Sequence, residues 1–144
     1  VIISNPNLRQ KFSQRIKALG ISPNSFGLFM ATAAYSPEGA QWLDELMHYI
    51  DGNRVIFDRE INKIPGLSSM PLEGTYLAWV DFSDTGMEEK EFIYRVQEKA
   101  KIAVNHGSTF GTGGEKFLRF NLATPRTLVV EATKRLKDAF SDLQ

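Results

Sequence analysis

The sequence predicts an α/β chain in which a mostly helical first part is followed by a small α+β domain, a short sheet with helices packed on one side. Two observations carry this prediction. Apolar residues recur at helical spacing through the first part of the chain. From Tyr76 onward the order reads strand, helix, strand, loop, strand, helix, and helices on one side of a small sheet are the simplest way to bury that pattern.

Residues 1–3 read as a short strand with no methionine before it, an opening that fits a piece of something longer as well as a processed chain. Asn5-Pro6 is a helix start, because Asn caps exposed N–H groups and Pro is tolerated at the first helical position. Leu8, Phe12, Ile16 and Leu19 then repeat at helical spacing until Gly20 stops the turn. A second helix is expected over residues 25–35, with Phe26, Phe29, Met30 and Ala33 on its buried side.

Ser36-Pro37 repeats the cap-then-proline signal and opens the longest periodic stretch. Leu43, Met47, Ile50, Phe57, Ile61 and Ile64 lie near one stripe. Unbroken over residues 37–64, this helix would be about 40 Å long at about 1.5 Å per residue. Asp51-Gly52-Asn53 weakens that expectation, since Gly costs helix stability and the triplet suits a turn. A helix of that length suggests a spine linking two packed bodies. If much of one body is missing, Phe26, Phe29 and Trp42 are expected to be exposed or covered by another copy.

Pro65-Gly66 ends the spine, and residues 75–82 read as a buried strand. Thr85 and Glu88 have the spacing of a capping box, before a helix that buries Phe92, Ile93, Val96 and Ala100. Residues 101–104 are expected as a strand, 105–115 as a glycine-rich loop and 116–122 as another strand. Thr124-Pro125 opens a last helix with Leu128, Val129, Ala132, Leu136, Ala139 and Phe140 facing inward.

Composition excludes several functions. Among 144 residues, Lys plus Arg and Asp plus Glu each number 17, so no broad field draws the chain to nucleic acid or an acidic membrane. The absence of cysteine removes disulfides, thiolate metal sites and a cysteine nucleophile, and agrees with a reducing, cytoplasmic compartment. Apolar runs fall short of the roughly 20 residues of a membrane span. His48 and His106 stand far apart without thiolates, which supports no metal site. Gly111-Thr112-Gly113-Gly114 lacks both the lysine and the strand–loop–helix setting of a nucleotide-binding loop.

Arg119 breaks the apolar pattern. In Phe117-Leu118-Arg119-Phe120-Asn121-Leu122, the residues Leu118, Phe120 and Leu122 share one strand face, and Arg119 stands on the other with Phe117 and Asn121. An edge-strand arginine in an ordinary ion pair is the plain reading. A carboxylate site bordered by the preceding glycine-rich loop is the sharper one, because a guanidinium binds a carboxylate through two parallel bonds.

The run Asn105-His106-Gly107-Ser108-Thr109-Phe110-Gly111, then Gly113-Gly114-Glu115 and Phe117-Leu118-Arg119-Phe120-Asn121-Leu122-Ala123-Thr124-Pro125-Arg126, resembles the C-terminal signature of cystathionine β-lyase-like carbon–sulfur lyases. These belong to the class I/II aminotransferase superfamily of pyridoxal-phosphate enzymes. Gly74-Thr75-Tyr76-Leu77-Ala78-Trp79-Val80-Asp81 resembles the first strand of their small domain, and Gly39-Ala40-Gln41-Trp42-Leu43-Asp44 the start of their interdomain helix. The resemblance implies that residues 1–36 are a remnant of the large cofactor-binding domain, 37–64 the interdomain helix and 65–144 the small domain.

It further implies an amino-acid substrate whose α-carboxylate binds Arg119, with Tyr76, Asn105 and His106 near the substrate entrance. The family's catalytic lysine and its phosphate-binding residues lie upstream of the matched region. No catalytic residue and no specific pyridoxal 5'-phosphate binding are therefore expected of this chain alone. The implied parent is a homodimeric lyase that cleaves L-cystathionine or related cysteine thioethers to thiol, pyruvate and ammonia. An aminotransferase, or a non-catalytic interaction domain derived from the same fold, are the alternatives.

Overall fold

The computed structural model describes residues 1–143, which form two compact units divided between Asp44 and Glu45. In the first unit, α1 (Pro6–Ala18) begins where the Asn5 side chain accepts hydrogen bonds from the N–H groups of Asn7 and Leu8, at 3.0 and 3.1 Å. Asn24 caps α2 (Ser25–Ala34) in the same way through Gly27 N–H, at 2.6 Å. Residues 1–3 form no strand. The Ile3 carbonyl instead accepts a bond from Arg9 Nη1 at 3.1 Å.

The expected inward face of α2 is a correction. None of its residues is buried, and Phe26 and Phe29 are 78% and 75% exposed. α1 buries none of its residues either. Helical periodicity names the face that wants cover without supplying the cover. Trp42 is exposed too.

α3 (Pro37–Ile61) runs through Asp51-Gly52-Asn53 without a break and ends three residues before the expected Ile64. Its buried positions are Ile50, Asn53, Phe57 and Ile61, a stripe at helical spacing that contains one polar residue. Among the described residues, no helix of the chain is both long and apolar enough to cross a membrane.

The second unit is built on a four-stranded antiparallel sheet of β1 (Ser68–Ser69), β2 (Leu77–Asp81), β3 (Asn105–His106) and β4 (Phe117–Asn121), in the order β1-β2-β4-β3. Strand alternation sends Ala78, Val80, Leu118 and Phe120 to one face, where they join Phe57, Ile61, Phe92, Val96, Val129, Leu136 and Phe140 in a single core. α4 (Glu89–Tyr94) continues into a π-helical turn at Arg95–Lys99, and α5 (Arg126–Ala139) closes the unit. The apolar face of this sheet is therefore covered by helices, and its other face stays open.

Three expectations are corrected here. Residues 101–104 form no strand: Lys101 adopts φ +54° and the Ile102 N–H bonds back to Val96 O at 3.1 Å, so this stretch caps the helix before it. The third strand starts only at Asn105. Thr85 makes no capping box; its hydroxyl donates to Phe82 O at 2.7 Å and accepts from Met87 N–H at 3.1 Å, while Glu88 caps α4 without a side-chain bond. Leu128 is exposed, because the buried stripe of α5 runs through Val129, Thr133 and Leu136, one position further round the helix.

Candidate functional site

The open face of the sheet carries Arg119. β4 pairs with β2 through Trp79↔Arg119 and with β3 through Asn105↔Arg119, so Trp79, Arg119 and Asn105 stand in one cross-strand row. Arg119 Nη2 donates to Asn105 Oδ1 at 2.9 Å. The Phe110 ring lies over the guanidinium, 4.5 Å from ring centroid to Arg119 Cζ. Trp79 meets Phe110 edge-on at 5.5 Å and stacks on Phe117 at the same distance.

The loop that brings Phe110 to Arg119 is held by backbone crossing. An added Cβ on Gly107 would meet Gly114 O at 2.2 Å and Phe117 O at 2.7 Å, so only glycine lets the two strands of the loop approach this closely. Ser108 donates its hydroxyl to Glu89 at 2.8 Å, and Lys116 Nζ donates to Met87 O at 2.7 Å. Residues 107–110 form a short 3₁₀ turn on this frame.

The electrostatics of the row are one-sided. Arg119 makes no salt bridge among the described residues, and its Nε is buried with no hydrogen-bond partner. Its partners are a neutral amide and an aromatic face. A partly buried cation without a counter-charge leaves desolvation uncompensated. An anion with planar, two-oxygen geometry would remedy this best, because the guanidinium donates along parallel N–H bonds.

The other expected site residues separate by strand parity. Asn105 joins Arg119 directly. His106 is opposite Leu118, the core-facing residue, and therefore sits on the other side of the sheet, half-buried, with its carbonyl accepting the Thr109 hydroxyl at 2.6 Å. Tyr76 precedes β2 on the parity of Ala78 and Val80, and it is exposed. Trp79 and Phe110 complete the row, and neither stands out as a site residue in the sequence. Trp79 is hidden in an apolar strand run, and only the register places it beside Arg119.

The family model for aminotransferase class I and II matches residues 1–136. Cystathionine beta-lyase PatB of Bacillus subtilis is 33% identical over 143 residues, covering 98% of this chain and 37% of that protein. The solved structure of cystalysin from Treponema denticola, which contains a pyridoxal 5'-phosphate cofactor, is 34% identical with a TM-score of 0.88, over 99% of this chain and 36% of that one. An aspartate aminotransferase of Pyrococcus horikoshii is 28% identical over 107 residues, 74% of this chain and 27% of that protein. The chain thus spans about a third of the length of the curated relatives it matches. Its small antiparallel sheet with helices on one face is the small-domain architecture of the pyridoxal-phosphate enzymes it resembles in structure.

Proposed function

The chain belongs to the aminotransferase class I and II family, and we propose that it is the C-terminal part of a carbon–sulfur β-lyase that uses pyridoxal phosphate. In this reading residues 1–36 belong to the cofactor-binding domain, 37–64 to the interdomain helix and 65–144 to the small domain. Its substrate is L-cystathionine or a related cysteine thioether, and its products are a thiol, pyruvate and ammonia. Arg119 holds the substrate α-carboxylate, Asn105 fixes the plane of the guanidinium, and Phe110 covers its face.

The unneutralised Arg119, gripped by Asn105 and Phe110 on the open sheet face, is the observation that carries the reading. A carboxylate seated there would orient the bonds at the substrate α-carbon, and orientation is a large part of what a protein adds to such chemistry. Pyridoxal phosphate supplies the electron-accepting ring when it is bound. The side chains grouped around Arg119 are an amide and aromatic rings, and Lys101 and Lys116 are engaged with Glu98 and the Met87 carbonyl. These residues fit a substrate carboxylate and not the cofactor, whose contacts belong to other parts of a longer protein. The exposed Phe26, Phe29 and Trp42 are faces that such a protein would cover, as a homodimer.

Lyases among the relatives favour elimination, and the Pyrococcus aspartate aminotransferase keeps transamination as the second reading. The full-length protein, loaded with cofactor and given L-cystathionine, separates them. Stoichiometric pyruvate and thiol are the expected products. A keto acid that retains the sulfur substituent would replace the lyase reading with the aminotransferase one.

A further inference from the structure

A network on α3 reaches the end of the strand that carries Arg119. Asn53 is fully buried in the stripe otherwise made of Ile50, Phe57 and Ile61. Its Nδ2 donates to Leu122 O at 3.0 Å and to Thr124 O at 2.8 Å, and its Oδ1 accepts from Arg126 Nε at 3.1 Å. Both amide protons and the carbonyl are thus engaged. Arg126 also donates from Nη2 to Tyr49 O at 2.9 Å and from its backbone N–H to Tyr49 Oη at 2.7 Å, and its guanidinium lies 4.5 Å over the Tyr49 ring.

Gly52 leaves room for this arrangement. A Cβ there would stand 2.5 Å from Arg126 Nη2. Gly52 therefore admits the guanidinium, and Asn53 ties together three groups of the turn between β4 and α5.

Arg119 needs such an anchor. β3 pairs only with Leu118 and Arg119, so beyond Arg119 the strand has no β3 partner. Residues 101–104, which continue β3 in sequence, are drawn toward the helix end through Ile102. Past Arg119 the strand is held along β2, through Phe120, Asn121 and the Leu122 N–H, which donates to Tyr76 O at 2.8 Å. The grip of Asn53 on the Leu122 carbonyl, three residues on and about 10 Å along an extended chain, adds a second hold from α3. An apolar residue would fill the stripe at lower desolvation cost, whereas a satisfied buried amide fixes one geometry.

We propose that Asn53 is a positioning residue for the carboxylate site: through Leu122 and Thr124, with Arg126 seated over Gly52, it sets where β4 presents Arg119. The proposal rests on the reading of Arg119 as the carboxylate-binding residue. Asn53 touches no substrate and acts only through the strand.

The test uses the full-length, cofactor-loaded protein and two probes that lack a sulfur leaving group, L-alanine and L-alaninamide, which differ in the carboxylate. Spectrophotometric titration gives the ratio of their dissociation constants. Arg119→Lys is expected to collapse the preference for alanine. Asn53→Ala is expected to lower it roughly 3- to 30-fold, within the range of coupling between linked residues, while alaninamide binds within about twofold of the unmutated protein. If Asn53→Ala does not fold, Gly52→Ala replaces it; displacing Arg126 is expected to shift the ratio in the same direction. An unchanged ratio in a folded Asn53→Ala or Gly52→Ala protein, with Arg119→Lys still collapsing it, overturns the positioning role alone. An unchanged ratio in Arg119→Lys overturns the carboxylate reading and this proposal with it. Equal weakening of both probes by Asn53→Ala marks a merely structural role and overturns the proposal too.

Discussion

Asn105 and Arg119 stand directly opposite one another on neighbouring strands, and the Asn105 side-chain carbonyl accepts a 2.9 Å bond from Arg119 Nη2. The pairing is short, since β3 contributes only two residues to the sheet. It nevertheless turns a flexible cation into an oriented one. The guanidinium plane is set by the amide at one end and by Phe110 across its face.

Arg119→Lys keeps the charge and discards the planar fork. In the full-length protein we expect catalytic efficiency toward L-cystathionine to fall roughly 10- to 1000-fold, equivalent to about 1.4 to 4 kcal/mol. Cofactor content and thermal stability should change little. Steady-state kinetics on protein shown spectroscopically to be fully loaded checks this; efficiency within twofold of the unmutated enzyme would remove Arg119 from the site.

Phe110 contributes through its ring face. Because the residue is largely exposed, Phe110→Leu should cost little stability. Loss of the cation–π contact, worth about 0.5 to 2 kcal/mol, should raise KM by roughly 2- to 30-fold. A KM unchanged by this substitution would show that the ring does not hold the guanidinium in the working site.

Gly107 faces the opposite trade. Gly107→Ala drives a methyl group into Gly114 O and Phe117 O, both backbone atoms that cannot swing aside. We expect a destabilisation of about 1 to 3 kcal/mol in urea unfolding, as for overpacked sites. Gly111→Ala should disturb packing less, since nothing lies within 4 Å of its added Cβ, although its φ of +121° still disfavours any side chain. Equal losses at both positions would mean that the crossing is not what holds the loop.

One source of acid sensitivity is expected where Asp142, just past the end of α5, meets the π-helical turn that carries Arg95. Arg95 forms a two-pronged ion pair with Asp142, through Nη1–Oδ1 and through Nη2–Oδ2 at 2.9 Å, and also bonds Glu91 at 2.8 Å. Hydrogen bonding from Arg95, then from its own backbone, holds the Asp142 carboxyl below the ordinary carboxylate range. A carboxyl whose folded pKa is depressed stabilises the fold above its unfolded value, about 4, and that contribution is lost as pH falls through the folded value. Thermal melts of Asp142→Asn should therefore lie below the unmutated protein at neutral pH and converge with it at low pH. The gap should be small, because the carboxylate is solvent-screened. Parallel melting curves across this range would rule the pair out as a source of acid sensitivity.

Much of this protein is written locally. Proline and asparagine at helix starts place α1 and α2, because capping needs only residues two or three apart. Alternation along Phe117–Asn121 puts Arg119 on the face opposite Leu118 and Phe120, because side chains on an extended strand switch sides at each residue. The proposed carboxylate role of Arg119 is suggested by the motif residues around it. What covers α2 is not legible, since periodicity carries no information about a partner surface.

Other features exist only once the chain has folded. Residues 101–104 could satisfy their N–H groups in a sheet or at a helix end, and the folded unit chose the helix end through Ile102 and Val96. Asp51-Gly52-Asn53 reads locally as a helix breaker, yet α3 passes through it because Gly52 makes space for Arg126 and Asn53 bonds groups some seventy residues away. Phe110 reaches Arg119 across a loop closed by two glycines. In each case the deciding contact joins parts of the chain whose separation no local pattern encodes, so the hydrogen bonds and the packing had to be made together before the residue's role existed.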